Sequence, residues 1–344
     1  MLALVTLSLC GCSKPNKARF QAHPAHEQQQ QHAGWYKGNT HAHTINSDGD
    51  SSPETVARWY KDNGYDFLFL TDHNVLTQPA ETNVHNEPGF LLIPGVEVSS
   101  TYRSATDAKA KPIHVNALNA AGPISAVQGS TSVADTLQQT INNINNAQAI
   151  PHVNHPNFRW AVSHLDLMNV QGYNLLEIYN GHPSVNNAGD EERPGMEAVW
   201  DLLLTNGHQI YGVACDDAHH FTGEFTPERS NPGRAWVMVR ATTLQADDIL
   251  YNIVTGNFYF TTGVLIDNIL VEGRSYTVYA NNITGKPYTT EFIGNGGQVL
   301  YRTTRNPASY LANQSDGYVR AKVTNSTGQA AWTQPAFLLP EVTE

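Results

Sequence analysis

The sequence predicts an α/β barrel followed by a small all-β region, on two observations. From Trp35 to residue 264, short apolar runs alternate with stretches of helical spacing, which implies a parallel sheet. With about seven such runs, a barrel is the economical closure, and several of them end abruptly in a polar residue able to bind a metal, where barrel enzymes place their chemistry.

The segments follow in order. Met1 to Leu9 is almost wholly apolar and runs into Leu9-Cys10-Gly11-Cys12. Residues 1–12 thus read as a short signal peptide with a lipobox-like end, Cys12 being the lipidated residue. No Lys or Arg precedes the apolar run, and the run is too short to span a bilayer. Residues 13–34 are polar and include Gln28 to Gln31, the composition of a flexible linker. His23, His26 and His32 belong to that linker and read as solvated. This predicts an exported protein, periplasmic or lipid-anchored to the bacterial envelope, touching the membrane only through Cys12.

The barrel, residues 35–264, has readable strands. Phe67 to Leu70 runs into Thr71-Asp72-His73, Leu91 to Ile93 into Gly95-Val96-Glu97, and Ile113 into His114. Ile150 leads to His152 and then Asn154-His155-Pro156; Leu175 to Ile178 ends near Asn180; Ile210 to Ala214 ends in Cys215-Asp216-Asp217-Ala218-His219. Three helices are equally legible. Ser51-Ser52-Pro53-Glu54 starts one whose apolar face is Val56, Trp59 and Tyr60, with Gly64 as its stop. Val133, Leu137, Ile141 and Ile144 keep helical spacing, as do Met196, Val199, Trp200 and Leu203 before Gly207. Beyond residue 265 the helical rhythm stops. Ile269–Val271, Tyr276–Tyr279, Val299–Tyr301 and Tyr318–Val323 read as strands between Gly/Asn turns, so 265–344 is expected to be a small, β-sandwich-like domain.

Composition narrows the function. The 344 residues suit one barrel-sized domain plus an appendix, and 40% hydrophobic content suffices for its core. A net charge of −11 with no basic stretch disfavours nucleic acid and anionic membranes as partners. Any phosphate chemistry must then draw its positive charge from metals. Of the three cysteines, Cys10 and Cys12 sit at the extreme N-terminus, which leaves no disulfide framework and no cysteine-rich zinc site.

The chemistry lies in one set of residues. In His41-Ala42-His43, strand geometry turns both imidazoles to one side. Asp48 follows in Ser47-Asp48-Gly49, where a turn can fold its carboxylate back. With His73, Glu97, His114, His155, Asp217 and His219 these make nine metal-competent residues near successive strand ends. Burying so many unpaired polar groups is costly, and a metal cluster would satisfy them all.

At residues 35–262 the chain resembles the PHP (polymerase and histidinol phosphatase) superfamily. Its motifs stand in order as His41-Ala42-His43, Thr71-Asp72-His73, Gly95-Val96-Glu97 and Asp217-Ala218-His219, with Asn154-His155-Pro156 similar to the family's later histidine. The resemblance implies a distorted (β/α)7 barrel with a trinuclear site of divalent ions. It places one metal on His41, His43, Glu97 and Asp217. A second shares Glu97 with His114 and His155, His155 being preferred to His152 because Pro156 follows it. A third takes Asp48, His73 and His219. Imidazole and carboxylate ligands suit Zn, Mn or Fe. Three divalent ions against the carboxylates of Asp48, Glu97 and Asp217 would leave roughly +3 to hold a small phosphoester.

The implied reaction is metal-dependent phosphoester hydrolysis by a metal-activated hydroxide, with Glu97, His114 and Asp217 acting through it. The sequence holds no G-x-S-x-G elbow and no P-loop. Hydrolysis of an amide, ester or lactone on the same metals is the alternative, and a non-catalytic binding module is a third. Around the set, Asp72 is either a brace or a strand-end cap, and Glu177 reads as a brace for a ligand. Arg159, Arg193 and Arg234 are candidates for a phosphate clamp or ordinary surface arginines, Arg159 preferred because it follows the His155 motif. His164, His182 and His220 read as surface or supporting residues, and Cys215 as a small buried one.

Overall fold

The computed structural model describes residues 19–21, 33–104, 109–281, 285 and 287–339. The lipobox with Cys10 and Cys12, and His23, His26 and His32 of the linker, lie outside them. Among the described residues no helix is long and apolar enough to cross a membrane.

Seven strands come first: β1 Gly34–Asn39, β2 Phe67–Leu70, β3 Leu91–Tyr102, β4 Lys111–Leu118, β5 Ile150–Val153, β6 Leu175–Asn180 and β7 Tyr211–Cys215. They pair in chain order, β1 to β7. The pairs β1–β2, β2–β3, β5–β6 and β6–β7 are parallel, as expected. The pairs β3–β4 and β4–β5 are antiparallel, which corrects the all-parallel expectation. Only residues 103–110 separate β3 from β4, and a parallel crossover needs about a dozen or more. β4 therefore runs backwards, and His114 sits inside it rather than at a C-terminal strand end.

A bridge between Ala42 and Ala218 joins the segment after β1 to the segment after β7. His43 N–H donates to the Ala218 carbonyl at 2.9 Å and Asp217 N–H to the His41 carbonyl at 3.0 Å. First and last strands thus meet just beyond their C-terminal ends.

The three expected helices form as α1 Pro53–Asp62, α2 Val133–Asn146 and, after the short α3 His164–Met168, α4 Met196–Thr205. Ser52 and Ser132 accept backbone N–H bonds at the first two N-termini, satisfying donors the helix cannot. Val56, Ala57 and Tyr60 of α1 and Leu137, Ile141 and Ile144 of α2 face the core. A fifth helix, α5 Ala246–Val254, lies between β8 Trp236–Ala241 and β9 Phe258–Thr261.

The remaining strands are β10 Ile266–Glu272, β11 Ser275–Ala280, β12 Thr289–Gly294, β13 Gln298–Thr303, β14 Ala308–Leu311, β15 Tyr318–Thr324, β16 Ala330–Thr333 and β17 Ala336–Phe337. The four runs read from sequence fall in β10, β11, β13 and β15. Pairing continues from β1 through β8, β9, β16, β15 and β12 to β13, so residue 265 marks no break in the hydrogen-bond ladder. A separate sheet, β10-β11-β14, shares a core with it that includes Tyr276, Val278, Phe292, Val319 and Val323. Phe20, read as linker, also packs in this core and bridges to Leu338. Buried Arg320 of β15 grips Asp201 of α4 through two bonds, Nε at 2.8 Å and Nη2 at 2.7 Å.

Candidate metal centre

The bridge at Ala42 and Ala218 sets His41-Ala42-His43 beside Asp217-Ala218-His219, so that four metal-competent side chains flank one contact. A second parallel bridge sets His73 beside Glu97. In the β3–β4 register Ser99 faces His114, two residues beyond Glu97. Because β4 runs backwards, its first half reaches the face that the other strands reach with their ends.

Glu97 is the hub. His114 Nδ1 (3.0 Å), His155 Nε2 (3.3 Å) and His41 Nε2 (3.5 Å) surround Oε1. His73 Nδ1 (2.8 Å) and His43 Nε2 (3.5 Å) surround Oε2. Asp217 Oδ1 lies 3.3 Å from His41 Nε2 and 3.1 Å from His43 Nε2. Asp48, over half exposed, lies 3.5 Å from His73 Nε2 and 3.4 Å from His219 Nε2. Ligand atoms cluster as His43-Asp48-His73-His219, His41-His43-Asp217, His41-Glu97-His155 and His73-Glu97-His114. All nine sequence candidates therefore converge. His155, not His152, reaches Glu97: fully buried His152 stays 3.9 Å from Glu177.

These residues fit divalent cations. His41 Nε2, His43 Nε2, Glu97 Oε2 and His114 Nδ1 are buried without a properly directed hydrogen bond. Buried polar atoms normally have one, and four orphans gathered at the Glu97 carboxylate call for an acceptor of lone pairs. Electrostatics agree. Burial disfavours charge on His41, but Asp217, Glu97 and Glu177 outweigh it and raise its pKa well above the usual value. Burial likewise opposes charge on His73, yet Glu97 and Asp48 raise it to about 10. Burial and His219 hold His43 down at about 4. Against burial, the surrounding histidines keep Glu97 and Asp217 well below the carboxylate range.

Local structure holds the ligands in place. A Cβ on Gly49 would stand 2.7 Å from the His43 carbonyl oxygen, so only glycine lets the loop return with Asp48. His155 (φ 24°) and Asp217 (φ 49°) adopt left-handed backbone, which costs about 1–3 kcal/mol each and clusters at functional sites. Asp72 accepts bonds from Thr44 N–H (2.8 Å) and Ser47 Oγ (2.7 Å), tying down the loop that carries Asp48; it is a brace. Glu177 is a brace as well, accepting from His41 Nδ1, Cys215 Sγ, the His155 N–H and Asn180.

Sequence reasoning missed two amides. Asn154 Nδ2 donates to Glu97 Oε1 at 2.8 Å, and Asn180 Nδ2 to Asp217 Oδ2 at 3.1 Å. Their adjacency to a ligand or a strand end was the available clue. Among the arginines, Arg234 is committed to the carbonyls of Gly181, Thr226 and Arg229 and is no clamp. Arg193 sits over Trp160 and pairs with Asp190. Arg159 is exposed, 5.2 Å from the Phe158 ring, and its guanidinium has no hydrogen bond or ion pair among the described residues. Phe158 itself edges His155 and His114. Half-buried His182 lies against His219, and burial lowers its pKa. His220 is held by Ser230, and His164 opens α3.

No protein-family model and no curated protein matches the chain. Among solved structures, it is similar to a two-domain protein from Bacteroides vulgatus described as containing a predicted PHP-like metal-dependent phosphoesterase. That match has a TM-score of 0.50 at 16% identity and covers 96% of this chain and 100% of the other. A candidate metal-dependent phosphoesterase from Bifidobacterium adolescentis matches at TM-score 0.41 and 14% identity, over 64% of this chain and 96% of that one. An amidohydrolase from Chromobacterium violaceum, with bound sulfate and no metal, matches at 0.38 and 15%, over 57% and 93%. Over nearly its whole length this chain thus shares the architecture of a two-domain protein that contains a PHP-like fold.

Proposed function

We propose that the protein hydrolyses phosphoester bonds of small molecules at a centre of three divalent metal ions, set at the mouth of a distorted barrel formed by β1 to β7. The observation that carries this reading is the convergence of four buried, hydrogen-bond-orphaned ligand atoms, on His41, His43, Glu97 and His114. Bound divalent ions supply positive charge for phosphoryl oxygens and lower the pKa of water.

The chain's own residues do the rest. Glu97 and Asp217 stay ionised, held so by the imidazoles around them, and are available as ligands beside them. Asp72 and Glu177 fix the loops and rings that carry the ligands. Arg159, unpaired at the rim, is our candidate for a second contact to the phosphate. Divalent Zn, Mn or Fe suits the mixed ligands. We also retain the reading of an exported, Cys12-anchored protein, which a Cys12→Ala variant released from the membrane fraction would support.

The test is a substrate panel. Protein loaded with Mn or Zn should hydrolyse an aryl phosphate or a bis-aryl phosphate, and His43→Ala should abolish that activity. Turnover of carboxylic esters, lactones or amides with inert phosphoesters would instead favour the other hydrolase reading.

A further inference from the structure

We propose that His182 is a fixed, neutral hydrogen-bond donor to a phosphoryl oxygen held at the metal centre. This inference rests on the phosphoesterase reading and adds to it a substrate contact that no metal-ligand motif marks.

The chain reaches His182 through a constrained turn. Asn180, at the end of β6, donates its side-chain amide to Glu177 Oε2 at 2.8 Å and to Asp217 Oδ2 at 3.1 Å. Its Oδ1 accepts the His182 N–H at 2.8 Å. One side chain therefore ties the His182 backbone to an acid of the centre and to the brace behind it. Gly181 between them is clamped on both sides: its N–H donates to the Cys215 carbonyl at 2.9 Å, and its carbonyl accepts from Arg234 at 2.7 Å. A Cβ on Gly181 would meet the Asp216 carbonyl oxygen at 2.9 Å, so the close approach needs glycine. Beyond His182 the turn closes with the Val185 N–H on the His182 carbonyl at 3.1 Å, and Val185 bridges to Phe158 across the rim.

The ring's tautomer is set by this turn. His182 Nδ1 accepts the Ser184 backbone N–H at 3.2 Å and lies 2.8 Å from Ser184 Oγ. A backbone N–H can only donate, so Nδ1 carries no proton, and the neutral ring holds its hydrogen on Nε2. Nε2 is the corner of the ring remote from Ser184. The ring stands edge-to-face on His219 with centroids 5.3 Å apart. Nothing among the described residues accepts a hydrogen bond from Nε2. A donor pre-oriented by its own loop, with no partner among the described residues, beside a cluster whose proposed cations would draw an anion, is suited to an oxygen of that anion. Being neutral, it adds direction without adding charge.

The experiment uses the metal-loaded full chain and inorganic phosphate as probe. Calorimetry gives the phosphate Kd, and aryl phosphate kinetics give KM and kcat. His182→Ala should weaken phosphate binding and raise KM by about five- to tenfold, with kcat changed far less and metal content unchanged. His182→Gln, which places an amide donor at similar reach, should recover most of the loss. An unchanged phosphate Kd in His182→Ala, a Gln variant as weak as the Ala variant, or loss of metal in both would overturn the assignment. Phosphate binding that depends on His182 in a protein inert to every phosphoester would sink the phosphoesterase reading while leaving this contact standing. Active protein indifferent to His182 would do the reverse.

Discussion

His41 gives its Nδ1–H to Glu177 Oε1 at 2.7 Å, which leaves Nε2, set between Glu97 and Asp217, as the ring nitrogen that a metal would take once its proton is displaced. The other oxygen of Glu177 takes the His155 N–H at 2.7 Å. One buried carboxylate thus orients one proposed ligand by its ring and another by its backbone. Such outer partners typically carry ten- to a hundredfold in metal affinity. Glu177→Ala should therefore lower affinity for Zn or Mn by about that factor in a chelator competition, although Glu177 itself is outside the nine proposed ligands. Unchanged affinity would contradict the role.

Asp72 offers a more selective perturbation. Its carboxylate holds Thr44 and Ser47, and the loop between them and Gly49 carries Asp48. Asp72→Ala should lose the metal proposed for Asp48, His73 and His219 first. Element analysis should show about one equivalent less than the parent protein, with the other metals retained.

Metal binding should release protons. In the metal-free protein His73 titrates at about 10, above its usual 6.5, while His43 titrates at about 4. Because the folded value is raised, the proton on His73 stabilises the metal-free fold fully below pH ~6.5, and that stabilisation is lost as the pH rises through about 10. Through the neutral range a metal must displace that proton, so its apparent affinity rises with pH. Titrations at pH 6, 7 and 8 should show tightening at each step. Calorimetry in buffers of different ionisation enthalpy should detect the released protons. A flat profile would count against His73 as a ligand.

The contact between α4 and β15 governs stability rather than chemistry. Arg320 is 1% exposed, bound twice by Asp201 and stacked 4.8 Å from Trp200. Removing one partner of a buried pair strands the other charge. Asp201→Ala should cost about 3–5 kcal/mol in urea unfolding. A double substitution to well-packed apolar residues should cost less than the single change.

Much of this protein was legible along the chain. The capped start and apolar spacing of α1, the periodicity of α2 and α4, and the motifs at His41, His73, Glu97 and Asp217 depend on neighbours within a few residues, which sequence displays directly. The nine candidate ligands needed only their residue types and their places beside apolar runs.

Tertiary structure decided the rest. That β4 runs backwards, carrying His114 to the centre from within a strand, follows from a connection too short to cross over. That His155 meets Glu97, as its following Pro156 suggested, is achieved through left-handed backbone at His155. That Phe20 packs under the last strands depends on a core built about 250 to 300 residues later, around Tyr276 and Val319. The tautomers of His41 and His182 are set by Glu177 and by the Ser184 N–H, through hydrogen bonds that exist only once the chain has folded. Residue type fixes what an atom can donate, accept or ligate; only the packed chain fixes what stands within reach of it.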